Sequence, residues 1–166
     1  MTAPRLRRYG RGVTEQPNTS LTAPIVVGID GSRNSLAALH WALDYAAATG
    51  RTQVHAVMSW NYPASAVAGS PLGVGLPPTH AMAEATESAL AGVLDDIDVP
   101  DGVVLTPVVA EGAPAAVISE CAADAELIVV GQRGHGGFLG LLLGSVATQV
   151  AHHAPCPVVI VPATND

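Results

Sequence analysis

The sequence contains no lysine. A P-loop of the form G-x-x-x-x-G-K-S/T is therefore excluded, because its lysine cannot be supplied. Charged residues of both signs are scarce at 13% and aromatics make up only 4%. A chain this poor in aromatics must build its core from Val, Ile, Leu and Ala, which suits a parallel sheet covered by helices. Two cysteines, Cys121 and Cys156, are too few for a disulfide framework, and both read as buried, reduced thiols. No apolar run approaches the ~20 residues of a membrane span. The basic N-terminus is not followed by an apolar stretch, which excludes a secretory signal of the usual kind. These absences place the protein in the cytoplasm.

What charge there is lies unevenly. The net charge is −7, yet four of the seven arginines (Arg5, Arg7, Arg8, Arg11) fall in the first twelve residues. The acidic remainder offers no basic face to nucleic acid. Residues 1–22 read as a disordered, solvated, Arg-rich tail, and residues 23–166 as one domain.

Apolar runs and helical periods alternate along that domain. Ile25–Asp30 reads as a strand buried on both faces. A helix follows, capped by Ser32 or Asn34, with Leu36, Leu39, Leu43 and Ala47 on one face and Gly50 at its end. Val54–Trp60 is a second strand, and Asn61–Pro78 a long loop without period. Thr79 caps a second helix whose apolar positions run from Met82 to Ile97. Val103–Val109, Leu127–Val130 and Pro157–Val161 are three further strands. The segments 112–123 and 144–153 are the helices between them. The order βαβαβαβαβ predicts a single doubly wound α/β domain with a parallel sheet, right-handed crossovers and helices on both faces. Ligands of such sheets sit at the carboxyl ends of the strands, where the winding reverses.

The stretch from Gly131 to Ser145 follows a buried strand and opens a helix. Its glycines permit positive φ and let backbone N–H groups approach an anion. The helix beginning at Gly144-Ser145 adds free amides and a favourable dipole. Ser145 can donate to a phosphate oxygen or cap the helix. Arg133 and His135 lie inside the stretch. The combination reads as a phosphate cradle, with a plain glycine-rich connection as the alternative. It is no dinucleotide fingerprint, because Gly134 and Gly136 are followed by Leu139 where a third glycine is needed. A G-x-S-x-G elbow is absent around Ser145.

Gly131-Gln132-Arg133-Gly134, nine residues, then Gly144-Ser145 resembles the signature of ATP-binding universal stress proteins. The opening Ile25–Ser32 and the ending Ala154–Val161 resemble that family's first strand and turn and its last turn and strand. The resemblance covers residues 23–162 and implies a Rossmann-like, five-stranded sheet of order 3-2-1-4-5. It implies that Asp30 and Gly131 face each other across one crevice, with Asp30 on the nucleoside. A helix-capping Asp30 is the alternative. It also implies an adenine contact near Val57 and a site of Asp30, Gly31, Val57, Val130, Gly131, Arg133, Gly134, Gly144, Ser145 and Val146. The implied ligand is ATP, with Mg²⁺ held through its phosphates, or cyclic AMP. A homodimer paired through the last strand is implied as well.

No catalytic set is visible beside that site. His152 and His153 are adjacent and diverge by about 100° on a helix, so they do not chelate as an i, i+4 pair. His40 and His55 are isolated, and Asp95, Asp96 and Asp98 read as a solvated helix end. Three readings follow: a nucleotide-binding regulatory protein of the stress response, a slow ATPase, and a nucleotide-free dimeric scaffold.

Overall fold

A computed structural model describes residues 22–62, 77–134 and 142–163. The Arg-rich tail up to residue 21, His135, and the middle of the 61–78 loop lie outside the described residues. Five strands form one parallel sheet: β1 (Ile25–Gly28), β2 (Gln53–Trp60), β3 (Val104–Glu111), β4 (Leu127–Gly131) and β5 (Val158–Val161). Their order is β3-β2-β1-β4-β5. The sequence-based expectation of a doubly wound sheet with reversal between β1 and β4 therefore holds. The helices are α1 (Arg33–Thr49), α2 (Thr79–Leu94), α3 (Pro114–Cys121) and α4 (Ser145–His153).

Alternation along the inner strands divides the core in two. Ile25 and Val27 of β1 face α1 and α2, together with Val54, Ala56 and Val129. Val26 faces α3 and α4, together with Val57, Ile128 and Val130. Side chains alternate across a strand, so a central strand covered on both faces must be apolar throughout. Each fully buried Val or Ile contributes on the order of 2 kcal/mol in transfer free energy.

Several local expectations shift. β1 ends at Gly28, two residues early, because Asp30 and Gly31 already form the turn and Gly31 has φ 79°. Ser32 is the cap of α1: its side chain accepts from the Ser35 N–H. Asn34 is not the cap; its Oδ1 accepts from the Ala163 N–H at 2.9 Å. The buried stripe of α1 is Ser35, Ala38, Leu39, Ala42, Leu43 and Ala46, leaving Leu36 half-buried and Ala47 exposed. Small alanines along that stripe let the helix lie close on the sheet. Pro78, not Thr79, occupies the cap position of α2, and no side chain caps it. Gly144 likewise caps α4 with backbone alone, so Ser145 is the first helical residue and not its cap. Both cysteines are half-buried rather than buried, and partial burial pushes both thiols up from their ordinary pKa.

The amino end of the sheet is closed by an ion pair that nothing in the sequence pattern announces. Arg51, just past α1, meets Glu126, just before β4, through Nε–Oε2 at 2.5 Å and Nη2–Oε1 at 2.6 Å. Tyr45 Oη donates to the same carboxylate at 3.2 Å. The Arg51 guanidinium is held above its ordinary pKa chiefly by its hydrogen bonds to Glu126. The side chains keep 19% and 18% exposure, so solvent screens the pair in part.

At the carboxyl end the determining contact is steric. A Cβ built on Gly131 would lie 2.7 Å from both C and Cβ of Asn34 and 2.8 Å from its carbonyl oxygen. The first turn of α1 thus rests directly on the end of β4. Gly131, Gly134 and Gly144 are absent from the positive-φ glycines, so these three serve close approach rather than left-handed backbone.

Two measurements test these contacts. Gly131→Ala must displace backbone, and urea unfolding should show a loss of about 1–3 kcal/mol; unchanged stability contradicts the contact. A double-mutant cycle of Arg51→Met and Glu126→Gln should give a coupling of about 1 kcal/mol that shrinks with added salt; zero coupling at low salt would remove the pair as a stabilising feature.

Candidate functional site

The strand reversal leaves a crevice between β1 and β4, and α4 enters above it. An open cavity of about 820 Å³ occupies that place. Its lining includes nine of the ten expected site residues: Asp30, Val57, Val130, Gly131, Arg133, Gly134, Gly144, Ser145 and Val146. Gly31 is the exception. It shapes the turn behind Asp30 and does not line the cavity.

Asp30 takes its position from a short run of local bonds. Its Oδ1 accepts from the Ser32 N–H at 2.9 Å, an Asx-turn. Its own N–H reaches Ser35 Oγ at 3.4 Å, and Ser35 Oγ donates to the Ser32 carbonyl at 3.0 Å. The Ile29 N–H donates to the Val57 carbonyl at 2.8 Å, which ties the end of β1 to β2. The carboxylate then reaches across the crevice. Its Oδ2 lies 2.4 Å from where a Cβ on Gly134 would stand. Asp30 therefore turns the chain and faces Gly134; it is not the cap of α1, which is Ser32.

The opposite wall is the start of α4. An α-helix leaves its first N–H groups without intrahelical acceptors. Here no side chain caps them, because the cap position is Gly144. The amides at Ser145 and the following turn, with their dipole, border the cavity that Ser145, Thr148 and Gln149 also line. Arg133 is an exposed cation at the rim. Asp30 and Arg133 are the only acidic or basic side chains among the described lining residues, so the polar end is built mainly of backbone and hydroxyl groups.

The far end is apolar. Val57, Ile118, Val130 and Val146 supply it, with Pro114 of α3. Gly28 lets Ile118 approach: a Cβ there would lie 2.7 Å from Ile118 Cδ1. The Val57 carbonyl already receives the Ile29 N–H. Ser59 also borders the cavity, on β2 beyond the last β1–β2 pair, Gly28 and Val57. Sequence reading missed Ser59 and Ser35, although strand alternation from Val57 to Ser59 could have found the former. A flat apolar end joined to an amide-lined end matches a ligand with a ring system and an anionic tail.

Comparison with known proteins agrees with this fold. A family model described as the Universal stress protein family matches residues 22–162. Universal stress protein Rv2623 of Mycobacterium tuberculosis is 37% identical over 139 residues, covering 83% of this chain and 44% of that protein. The chain thus spans less than half the length of that curated relative. The structure described as hypothetical protein MJ0577 superposes with a TM-score of 0.69 at 19% identity, covering 88% of this chain and 99% of the other. A universal stress protein solved in complex with cAMP gives a TM-score of 0.54 at 26% identity, over 86% of this chain and 98% of its own. With the family match spanning nearly all the described residues, and the sheet order and crevice as that resemblance implies, this chain belongs to the universal stress protein family.

Proposed function

We propose that the protein is a regulatory binder of adenine nucleotides, with ATP as its ligand, acting in the stress response. The observation that carries this reading is the convergence on one cavity of Asp30, the glycines at 131, 134 and 144, and the uncapped start of α4. The base would occupy the apolar end between Val57, Ile118 and Val130, within reach of Ser59. The ribose hydroxyls would donate to Asp30. The phosphates would lie against the Gly134 and Ser145 backbone, with the Ser145 hydroxyl and Arg133 beside them. Mg²⁺ fits this arrangement only as a companion of the phosphates, since no group of three potential metal-binding side chains occurs among the described residues.

Binding rather than turnover is the reading the lining favours. Phosphoryl transfer needs charge stabilisation and a positioned nucleophile. Arg133 is the one cation in the described lining, and Asp30 its one carboxylate. Cyclic AMP is the second ligand reading, supported by the related protein solved with cAMP.

The hydrogen-bonding groups left on the sheet edges support dimerisation through β5. The Val104 N–H donates to the Thr52 carbonyl and the Gly112 N–H to the Trp60 carbonyl, so even-numbered residues of β3 face β2. Odd-numbered residues face outward, and Pro107 among them offers no N–H, which blunts that edge. On β5 the carbonyls of Pro157 and Val161 receive the N–H groups of Ile128 and Gln132. Val158 and Ile160 therefore point both donor and acceptor outward. Two copies related by a two-fold axis can satisfy these groups reciprocally.

Two experiments test these readings. Calorimetric titration should show ATP binding, with Asp30→Ala weakening it by about tenfold, the worth of one charge-assisted hydrogen bond. Tighter binding of cyclic AMP would favour the second ligand, and no heat with ATP, AMP or cyclic AMP at millimolar concentration would end the nucleotide reading. Light scattering should show a dimer that Ile160→Pro converts to folded monomer. A wild-type monomer at micromolar concentration would contradict pairing through β5.

A further inference from the structure

Gln132 stands outside the cavity lining, yet it bonds to three residues that hold the site, one at the end of β5 and two in the segment before α4. Its N–H donates to the Val161 carbonyl at 2.7 Å, fixing it to the end of β5. Its carbonyl accepts from the Gly144 N–H at 2.8 Å. Its side-chain Nε2 donates to the Leu142 carbonyl at 2.9 Å. One residue at the exit of β4 thus grips both residues that precede the cap and the first turn of α4.

The two chain segments also touch at this point. A Cβ on Gly144 would lie 3.3 Å from Arg133 Cα, 3.5 Å from the Gln132 carbonyl oxygen and 3.6 Å from the Gly134 nitrogen. Leu142 turns its side chain out to 82% exposure, so no apolar packing of its own holds it there. Its carbonyl is held inward by the Gln132 amide. The main-chain bond holds the segment at Gly144 and Leu143 packs against the core; the side-chain bond fixes a further point at Leu142.

We infer that Gln132 is a positioning residue that sets the Gly134 backbone and the first turn of α4 at a fixed separation, so that their amides meet one anionic group together. The inference rests on the nucleotide reading above. It concerns the phosphate end, because the bonds of Gln132 go to Leu142 and Gly144 before α4 and to Val161 at the end of β5. Amides held in place before binding do not have to be ordered during it, and that ordering would otherwise reduce affinity. Loss of the side-chain bond therefore weakens a ligand in proportion to its use of phosphates.

The test compares ATP with adenosine, which has the same base and ribose but no phosphate. Gln132→Met keeps the length of the side chain and removes its N–H donors. Gln132→Ala serves as the second variant if the first folds poorly. Calorimetry should show ATP weakened about fivefold, the equivalent of one net hydrogen bond, with adenosine unchanged. A purely structural role would instead weaken both ligands alike. Equal loss for both, or no loss for ATP, overturns the inference. Amide hydrogen exchange of the ligand-free full chain gives an independent reading. The Gly144 amide should exchange about fivefold faster in Gln132→Met. If wild type binds neither ATP nor adenosine, the nucleotide reading falls, and unchanged Gly144 exchange would then overturn the clamp as well.

Discussion

The contact between the first turn of α1 and the end of β4 sets the rest of the site. At Gly131 the two elements are closer than any side chain allows. That closeness keeps the Asp30 turn beside the glycine segment instead of a layer of side chains away. Asp30 can then lie over Gly134, where a Cβ would have to displace its carboxylate. The crevice of a doubly wound sheet exists wherever the winding reverses. These two glycines make this one narrow enough for backbone on one side and a carboxylate on the other to meet a single ligand.

The two ends of the sheet are treated differently. At the amino end, Arg51, Glu126 and Tyr45 join α1 to the start of β4, and the Glu126 N–H donates to the Pro24 carbonyl. Buried Val, Ile and Ala residues fill both layers behind it. At the carboxyl end side chains give way to glycine, and polar backbone is left facing a cavity. A rigid, closed base allows an open upper end without loss of shape. The same β4 strand carries both, with Glu126 just before it and Gly131 as its last residue.

The strands, the helices between them and the placing of the cavity were legible because each rests on local chemistry, whereas the strand order came from the family resemblance. Buried central strands need unbroken apolar runs, and turns need Gly, Pro or Asp at fixed places. What escaped the sequence depends on contacts between distant segments. The Arg51–Glu126 pair joins residues 75 positions apart, and neither neighbourhood hints at the other. On α1 the expected Leu39 and Leu43 are buried, but the stripe turns toward Ala38, Ala42 and Ala46, small residues that permit close approach, and leaves Leu36 and Ala47 off it. Asn34 looks like a helix cap, but its side chain is claimed by Ala163 from the far end of the chain. The reason for the site glycines was also hidden. A glycine kept for positive φ and one kept for a neighbour's backbone look alike in sequence, and only the coordinates separate Gly31 from Gly131.

If the ligand is ATP, an acidic chain holds a polyanion with one basic side chain, Arg133, among the described lining residues. Of the three arginines outside the tail, Arg51 is engaged with Glu126 and lies at the other end of the sheet, and Arg33 does not line the cavity. Arg133 alone remains at the rim. On that reading much of the attraction comes from peptide dipoles, which are weak singly and fall off within a turn of helix. Dipoles act together only if their directions are fixed relative to one another. In this fold one set belongs to the segment after β4 and the other to the start of α4, before which Leu143 packs against the core while Leu142 is exposed. The bonds made by Gln132 to Leu142, Gly144 and Val161 add to that packing from outside the cavity and tie the two sets together.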